Sequence, residues 1–161
     1  MPSFLVDTSA PAYARRSRVM PAPRDLVWSI LTDLSHWSDW NAGVRNMRLD
    51  GPVAPGTGFR WNGGGLPIRS RIEIFRPTAE IGWTGRAPGI RARHVWHLTE
   101  EAHGTRVTTE EDFAGPLASL MPRMMARTIG EALDQGLGAL EAECIRRLAA
   151  QNASGLASRA M

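Results

Sequence analysis

Apolar positions along the chain follow two periods, and the changes between them predict the order of elements. Tyr13 to Met20 reads as a strand that ends at Pro21 and Pro23. Leu26, Val27, Ile30, Leu31 and Leu34 then recur at three- and four-residue spacing, which predicts a helix over Arg24 to Leu34 with Pro23 at its entry. A second short helix is expected over Ser35 to Asn41, with Ser35 as its cap and Trp37 and Trp40 on one face. From Val44 to Phe113 the chain changes to strands punctuated by Gly and Pro, at 44–50, 57–62, 67–76, 79–86, 90–100 and 104–113. Short connections between them imply an antiparallel meander. Met121, Met124, Met125, Ile129, Leu133, Leu137, Leu140, Cys144 and Leu148 lie mostly three or four apart. They predict a closing helix, with Pro122 in its first turn, long enough to cross a whole sheet.

The expected class is therefore α+β: a curved antiparallel sheet of about seven strands wrapped around a long C-terminal helix, with two short helices after the first strand. The 161 residues suit one domain and are too few for two independent cores. A core over about 13–148 is expected, with 1–11 and 150–161 as mobile ends.

Charge changes this picture little. All 19 basic residues are Arg, so a net charge of +3 coexists with a pI near 10.3 without implying a nucleic-acid partner. The lone Cys144 excludes an internal disulfide, and a reducing, cytoplasmic setting is expected. No stretch approaches the roughly 20 apolar residues of a membrane span. Six Trp against one Tyr and four Phe is the more informative bias, because six large apolar surfaces must pack in a core or line something.

Several runs carry a family resemblance. Met20-Pro-Ala-Pro23, Val27-Trp28 and Asp33-Leu-Ser-His-Trp37-Ser-Asp-Trp40-Asn41 come first. Gly56-Thr-Gly58, Ile81-Gly-Trp83, His94-Val-Trp96 and Gly104-Thr-Arg-Val107 follow. Together they resemble the START-like (SRPBCC) superfamily, in its polyketide cyclase/dehydrase-like branch. The resemblance covers about residues 13–148. It implies the helix-grip fold, with a deep hydrophobic cavity between the sheet and the C-terminal helix. It also implies either binding of an aromatic, polyketide-like or lipid molecule, or cyclase/dehydratase chemistry without a cofactor. The fold alone does not choose between these.

Strand alternation proposes an inner face. A tight turn at Glu101-Ala-His-Gly104 pairs Glu100 with Thr105, which sets Trp96 opposite Thr109 and His94 opposite Glu111. The other face then matches Arg93 with Asp112, expected as a solvated ion pair. A carboxylate and an imidazole thus meet on the inner surface. They either satisfy each other, or anchor a polar ligand group, or, as catalytic residues, move a proton. Trp61, Trp83 and Trp96 are expected to line the cavity with Ser70, and the resemblance implies that Trp28, Trp37 and Trp40 seal its mouth or pack on the sheet edge. Met121, Met124 and Met125 are read as an adaptable entrance, with core packing as the alternative. Gly136 and Gly138 imply close approach to one face of the long helix.

Other chemistries are argued against. His94 and His97 point to opposite faces of a strand, so no metal site is expected. Gly63-Gly-Gly65 reads as a hairpin turn, and Cys144 sits in the apolar stripe of the last helix. Arg60, Arg69, Arg71, Arg86, Arg91, Arg93 and Arg106 project from the outer face with Glu73, Glu80, Glu110 and Asp112, a mixed-charge surface. The expected partner is a small hydrophobic molecule, with no nucleic acid, and the chain is a monomer or a homodimer.

Overall fold

The computed structural model describes residues 4–160. Of the two ends expected to be mobile, residues 1–3 and 161 lie outside the described part.

Strand β1 (Ala12–Met20) is followed by helix α1 (Arg24–Thr32), a 3₁₀ turn at Leu34–His36 and the single-turn helix α2 (Trp37–Trp40). Six strands then run as a meander: β2 (Val44–Leu49), β3 (Gly58–Gly63), β4 (Leu66–Arg76), β5 (Glu80–Ala87), β6 (Ile90–Glu101) and β7 (Gly104–Ala114). Helix α3 (Pro116–Leu120) leads into α4 (Pro122–Arg159). The sheet order is β1-β7-β6-β5-β4-β3-β2, antiparallel throughout, so β1 closes the meander by pairing with its last strand. This is the curved seven-stranded sheet and long C-terminal helix that the periodicities imply.

Three details differ from the sequence reading. The second short helix begins as a 3₁₀ turn, and α3 is an extra turn that the methionine spacing hid. Helix α4 continues past Leu148 to Arg159, and its last ten residues are exposed. No apolar stripe marks that extension, whose small residues suit a solvated helix more than a buried one.

Sheet and α4 are clamped along one side. Helix α4 packs chiefly on β1 and β7. Arg16 Nε donates to Asp134 at 2.9 Å, and Arg18 Nη1 donates to Glu141 at 2.7 Å, so two strand arginines grip two helix carboxylates. The helix makes room for them with glycine. A Cβ at Gly130 would strike the Arg16 guanidinium, and one at Gly138 would lie 3.4 Å from Arg18 Nη1. The expected close approach at Gly138 is therefore an arginine, and at Gly136 it is the Trp96 ring, 3.6 Å from where a Cβ would stand.

The core divides in two. The larger cluster joins Met20, α1, Trp37, Phe59, Ile72, Trp83, Trp96, Leu98 and Val107 to Leu137, Leu140 and Cys144 of α4. The smaller gathers Ala12, Ala14, Ala118, Met125, Ile129 and Leu133, with Phe113, Ile90 and Leu117 at its margin. Trp37 organises the first: its Nε1 donates to Leu31 O at 2.9 Å, and its ring meets Trp83 and Trp96 edge-on at 5.7 and 6.0 Å.

Residues 4–11 cross the outer face. Phe4 approaches Gly82, where a Cβ would collide with its ring, and Asp7 N–H donates to Asp112 Oδ2 at 2.6 Å. Arg93 and Asp112 do pair, at 3.0 Å, but Asp112 is buried beneath this segment and is not the solvated partner expected.

Candidate functional site

Register puts the candidate pair together. Ile72, Trp83, His94, Glu111 and Ala14 form one cross-strand row on the inner face, running from β4 to β1. The next row carries Ile81, Trp96, Thr109 and Arg16. His94 therefore sits where three side chains converge. Its ring lies 5.3 Å from Trp96 in a stacked arrangement and 5.0 Å from Trp83 at a tilt. Its Nε2 is 2.8 Å from Thr109 Oγ1, and its Nδ1 is 3.7 Å from Glu111 Oε1.

Burial decides the charge states. It pushes the His94 imidazole down to about 3 and, with a smaller push from the Asp112 charge, lifts the Glu111 carboxyl to about 8. At neutral pH both groups are uncharged, with the proton on the carboxyl, so their contact is not an ion pair. At 3.7 Å it is also longer than a hydrogen bond. Among the described residues Glu111 has no hydrogen-bond partner, although its side chain is only 16% exposed. The protonated carboxyl is a hydrogen-bond donor that keeps some solvent access, and beside it the buried Trp96 Nε1 has no partner among the described residues.

His94 and Glu111 lie where the two apolar clusters part. The row beyond His94 is built of small residues in its middle: Ser70, Gly85 and Ala92 between Phe59 and Phe113. Side chains this short leave the sheet low beside the taller Trp83–His94–Glu111 row. Ser70 Oγ accepts from Trp61 Nε1 at 3.1 Å, which fixes the Trp61 ring over β3 and β4. Ile68, Ile90 and Phe113 are half-buried around this floor, and helix α4 leans toward β1 and β7. The small-residue row went unread in the sequence because its members come from three strands. Only strand pairing aligns them.

The residues singled out from sequence fall into three groups. His94, Glu111, Thr109, Trp83 and Trp96 are contiguous. Trp83 is 4% and Trp96 2% exposed, packed on Trp37 within the larger core, and Thr109 is fully buried behind His94. Trp61 and Ser70 form a second group across the small-residue row. Met121 and Met124 stand at the start of α4, half-buried and 49% exposed, whereas Met125 turns inward into the smaller cluster.

Two surface depressions lie elsewhere. One, of about 420 Å³, is bounded by Pro21–Asp25 and Glu100–Gly104. The other, of about 730 Å³, lies on the outer face of the sheet around Arg69, Arg86 and Arg91. Neither includes His94 or Glu111. Among the described residues no three His, Cys, Asp or Glu side chains are grouped to hold a metal ion, and no helix is long and apolar enough to cross a membrane.

Comparison with known proteins agrees with this architecture. The family model described as "Polyketide cyclase / dehydrase and lipid transport" matches residues 12–144. Among solved structures, a hypothetical protein from Helicobacter pylori is 19% identical with a TM-score of 0.77, over 86% of this chain and 91% of that one. The Zhui aromatase/cyclase from Streptomyces sp. R1128 is 19% identical with a TM-score of 0.74, over 84% and 94%. A START superfamily protein from Mycobacterium smegmatis is 14% identical with a TM-score of 0.72, over 83% and 97%. At these identities the likeness is one of fold. No curated protein matches the chain.

Proposed function

Since the chain belongs to the polyketide cyclase / dehydrase and lipid transport family, the START-like branch its motifs resemble, we propose that it binds a hydrophobic small molecule between the sheet and the C-terminal helix. The ligand class is aromatic, polyketide-like or lipid. His94 and Glu111 are its polar anchors, with Trp61, Trp83 and Trp96 as aromatic walls, Ser70 and Thr109 as polar contacts, and Met121, Met124 and Met125 toward the entrance.

The observation that carries this reading is the Glu111 carboxyl. It is half-buried, titrates well above the usual carboxylate range and has no hydrogen-bond partner among the described residues, between two apolar clusters and in the row beside the buried, unpartnered Trp96 Nε1. A ligand carbonyl or hydroxyl accepting from that O–H would remove the cost of an unmade bond. Ligand selection would then rest on apolar contact for affinity and on a few polar atoms for orientation.

A second reading, cyclase or dehydratase chemistry, is favoured by the order Thr109–His94–Glu111. Neutral imidazole between a hydroxyl and a protonated carboxyl can accept a proton on one nitrogen while releasing one from the other. The separation of the two titrations, about 3 against about 8, supports giving the base and acid roles to different groups. Glu111 would protonate a developing enolate or leaving hydroxyl, and His94 would accept the proton from the carbon acid.

Native mass spectrometry of the purified protein, followed by titration with the co-purifying molecule, tests the binding reading. Glu111→Gln keeps a donor and should hold ligand affinity within a few-fold, whereas Glu111→Leu should lose it. Equal affinity in all three proteins overturns the anchor. Turnover of a poly-carbonyl substrate by the parent chain and not by Glu111→Gln would establish the enzyme.

A further inference from the structure

Charge on this molecule is divided along the strands. The turns β3–β4 and β5–β6, helix α3 and the start of α4 share one end of the sheet. The pairings Gly63↔Leu66 and Ala87↔Ile90 place the two turns there, and Leu117 N–H donates to Gly89 O at 3.2 Å. The hairpins and helical turns that reach this end, 58–72, 81–99 and 113–130, contain eight arginines and no Asp or Glu. The opposite end is charge-balanced: beside the β4–β5 and β6–β7 turns Glu80, Glu100 and Glu101 pair with Arg76, Arg24 and Arg106.

On the outer face near the arginine-rich end, strand register aligns five of these side chains into a ladder. Arg48 is opposite Arg60, Arg60 opposite Arg69, Arg69 opposite Arg86, and Arg86 opposite Arg91. At about 4.8 Å per strand the row is roughly 19 Å long. All five are exposed. Arg60 reaches Asp50 at 3.4 Å, and among the described residues Arg48, Arg69, Arg86 and Arg91 have no ion-pair partner. Like charges directly opposite each other on one face of a sheet destabilise it, so folding alone gives no reason for such a row. The outer groove of about 730 Å³ lies along it, where its acids Asp7 and Asp112 are already engaged by Arg93, and Glu73 stands beside Arg71.

Apolar side chains are exposed at the same end. Leu66 beside the β3–β4 turn is 40% exposed, Leu120 of α3 78%, and Met124 at the start of α4 49%. A phosphate array meets the arginines, and an apolar layer just beneath it meets these three. A duplex nucleic acid offers the first and not the second, and among the described residues no aromatic side chain stands in the ladder's register for base stacking.

We infer that this end of the sheet, with the Arg48–Arg60–Arg69–Arg86–Arg91 ladder and the exposed Leu66, Leu120 and Met124, docks the protein peripherally on an anionic phospholipid bilayer. The docking does not depend on what occupies the inner face. The far end pairs its glutamates with arginines, so the largely unpaired ladder at this end orients the approach.

Co-sedimentation of the full chain with vesicles tests the inference. Strong binding is expected to phosphatidylcholine vesicles containing phosphatidylglycerol, and little to phosphatidylcholine alone. The exposed double variant Arg69→Gln/Arg86→Gln should weaken binding about thirtyfold, at about fivefold per arginine. Leu66→Ser/Leu120→Ser should weaken it as well, and unchanged far-UV circular dichroism shows that both variants fold. Equal binding to neutral and anionic vesicles, full affinity in either variant, or tighter binding to duplex DNA than to anionic vesicles at equal phosphate overturns the proposal.

Discussion

His94 Nδ1 and Glu111 Oε1 face each other at 3.7 Å across β6 and β7, and both groups are uncharged at neutral pH. An imidazole and a carboxyl at this distance in water would form an ion pair. Here burial opposes both charges, and the proton stays on the acid.

The pair predicts a stability profile with two limbs. The folded His94 titrates near 3 instead of 6.5, so between those values the unfolded chain binds more protons and stability rises with pH. The folded Glu111 titrates near 8 instead of 4.5, so between those values the folded chain binds more and stability falls with rising pH. Their contributions oppose each other between 4.5 and 6.5, which places this pair's plateau there. Each limb should approach a slope of about 1.4 kcal/mol per pH unit. Denaturant unfolding across pH should show Glu111→Gln losing the alkaline limb and His94→Gln losing the acid limb. A profile left unchanged by Glu111→Gln would mean that the carboxyl is ionised in the folded protein.

Tryptophan emission should report the inner face. Trp83 and Trp96 both lie within 5.3 Å of the His94 ring, and Trp61 borders the small-residue row. A ligand held by Glu111 should shift or quench emission in the parent chain, and Trp61→Phe should reduce that response while leaving the Trp83 and Trp96 part. Emission unmoved across a broad aromatic library would remove the Trp residues from the proposed wall.

Gly104 should tolerate no side chain. Its φ is +151°, and a Cβ there would collide with the carbonyl oxygen of Met20, a backbone atom that cannot swing away. Gly104→Ala is expected to cost about 2 kcal/mol or more, through strain and a forced shift of the β1 end. A chemical-denaturation midpoint equal to that of the parent would contradict this packing.

Asp112→Ala should release the N-terminal segment. The substitution leaves the Asp7 N–H and the Arg93 guanidinium without their shared acceptor. Loss of about 1–3 kcal/mol is expected, as for a buried acceptor removed from its donors. Limited proteolysis near residues 4–11 should accelerate, and an unchanged cleavage rate would show that the segment is held by Phe4 alone.

Much of the architecture was legible because its signals are local. Alternation gave the strands, three-and-four spacing gave α1 and α4, and a single tight turn at 101–104 set the β6–β7 register that brings His94 to Glu111. What escaped was whatever arises from three or more strands at once. The Ser70–Gly85–Ala92 floor and the arginine ladder are invisible until pairing lines them up, because their members stand 5 to 17 positions apart in the chain. The solvated role expected for Asp112 failed for a related reason: the segment that covers it lies 105 positions away. Whether His94 and Glu111 hold a ligand is a question of chemistry, and register alone places them without giving them a role.

The seam between the two apolar clusters also has a mechanical meaning. Each cluster is a stiff body in which side chains interlock, whereas the strip between them is crossed by the neutral polar row, the β-sheet backbone and the single rod of α4. A strip of that kind bends before either body loosens. Arg16–Asp134 and Arg18–Glu141 tie α4 to β1 on either side of that strip, one beside each cluster.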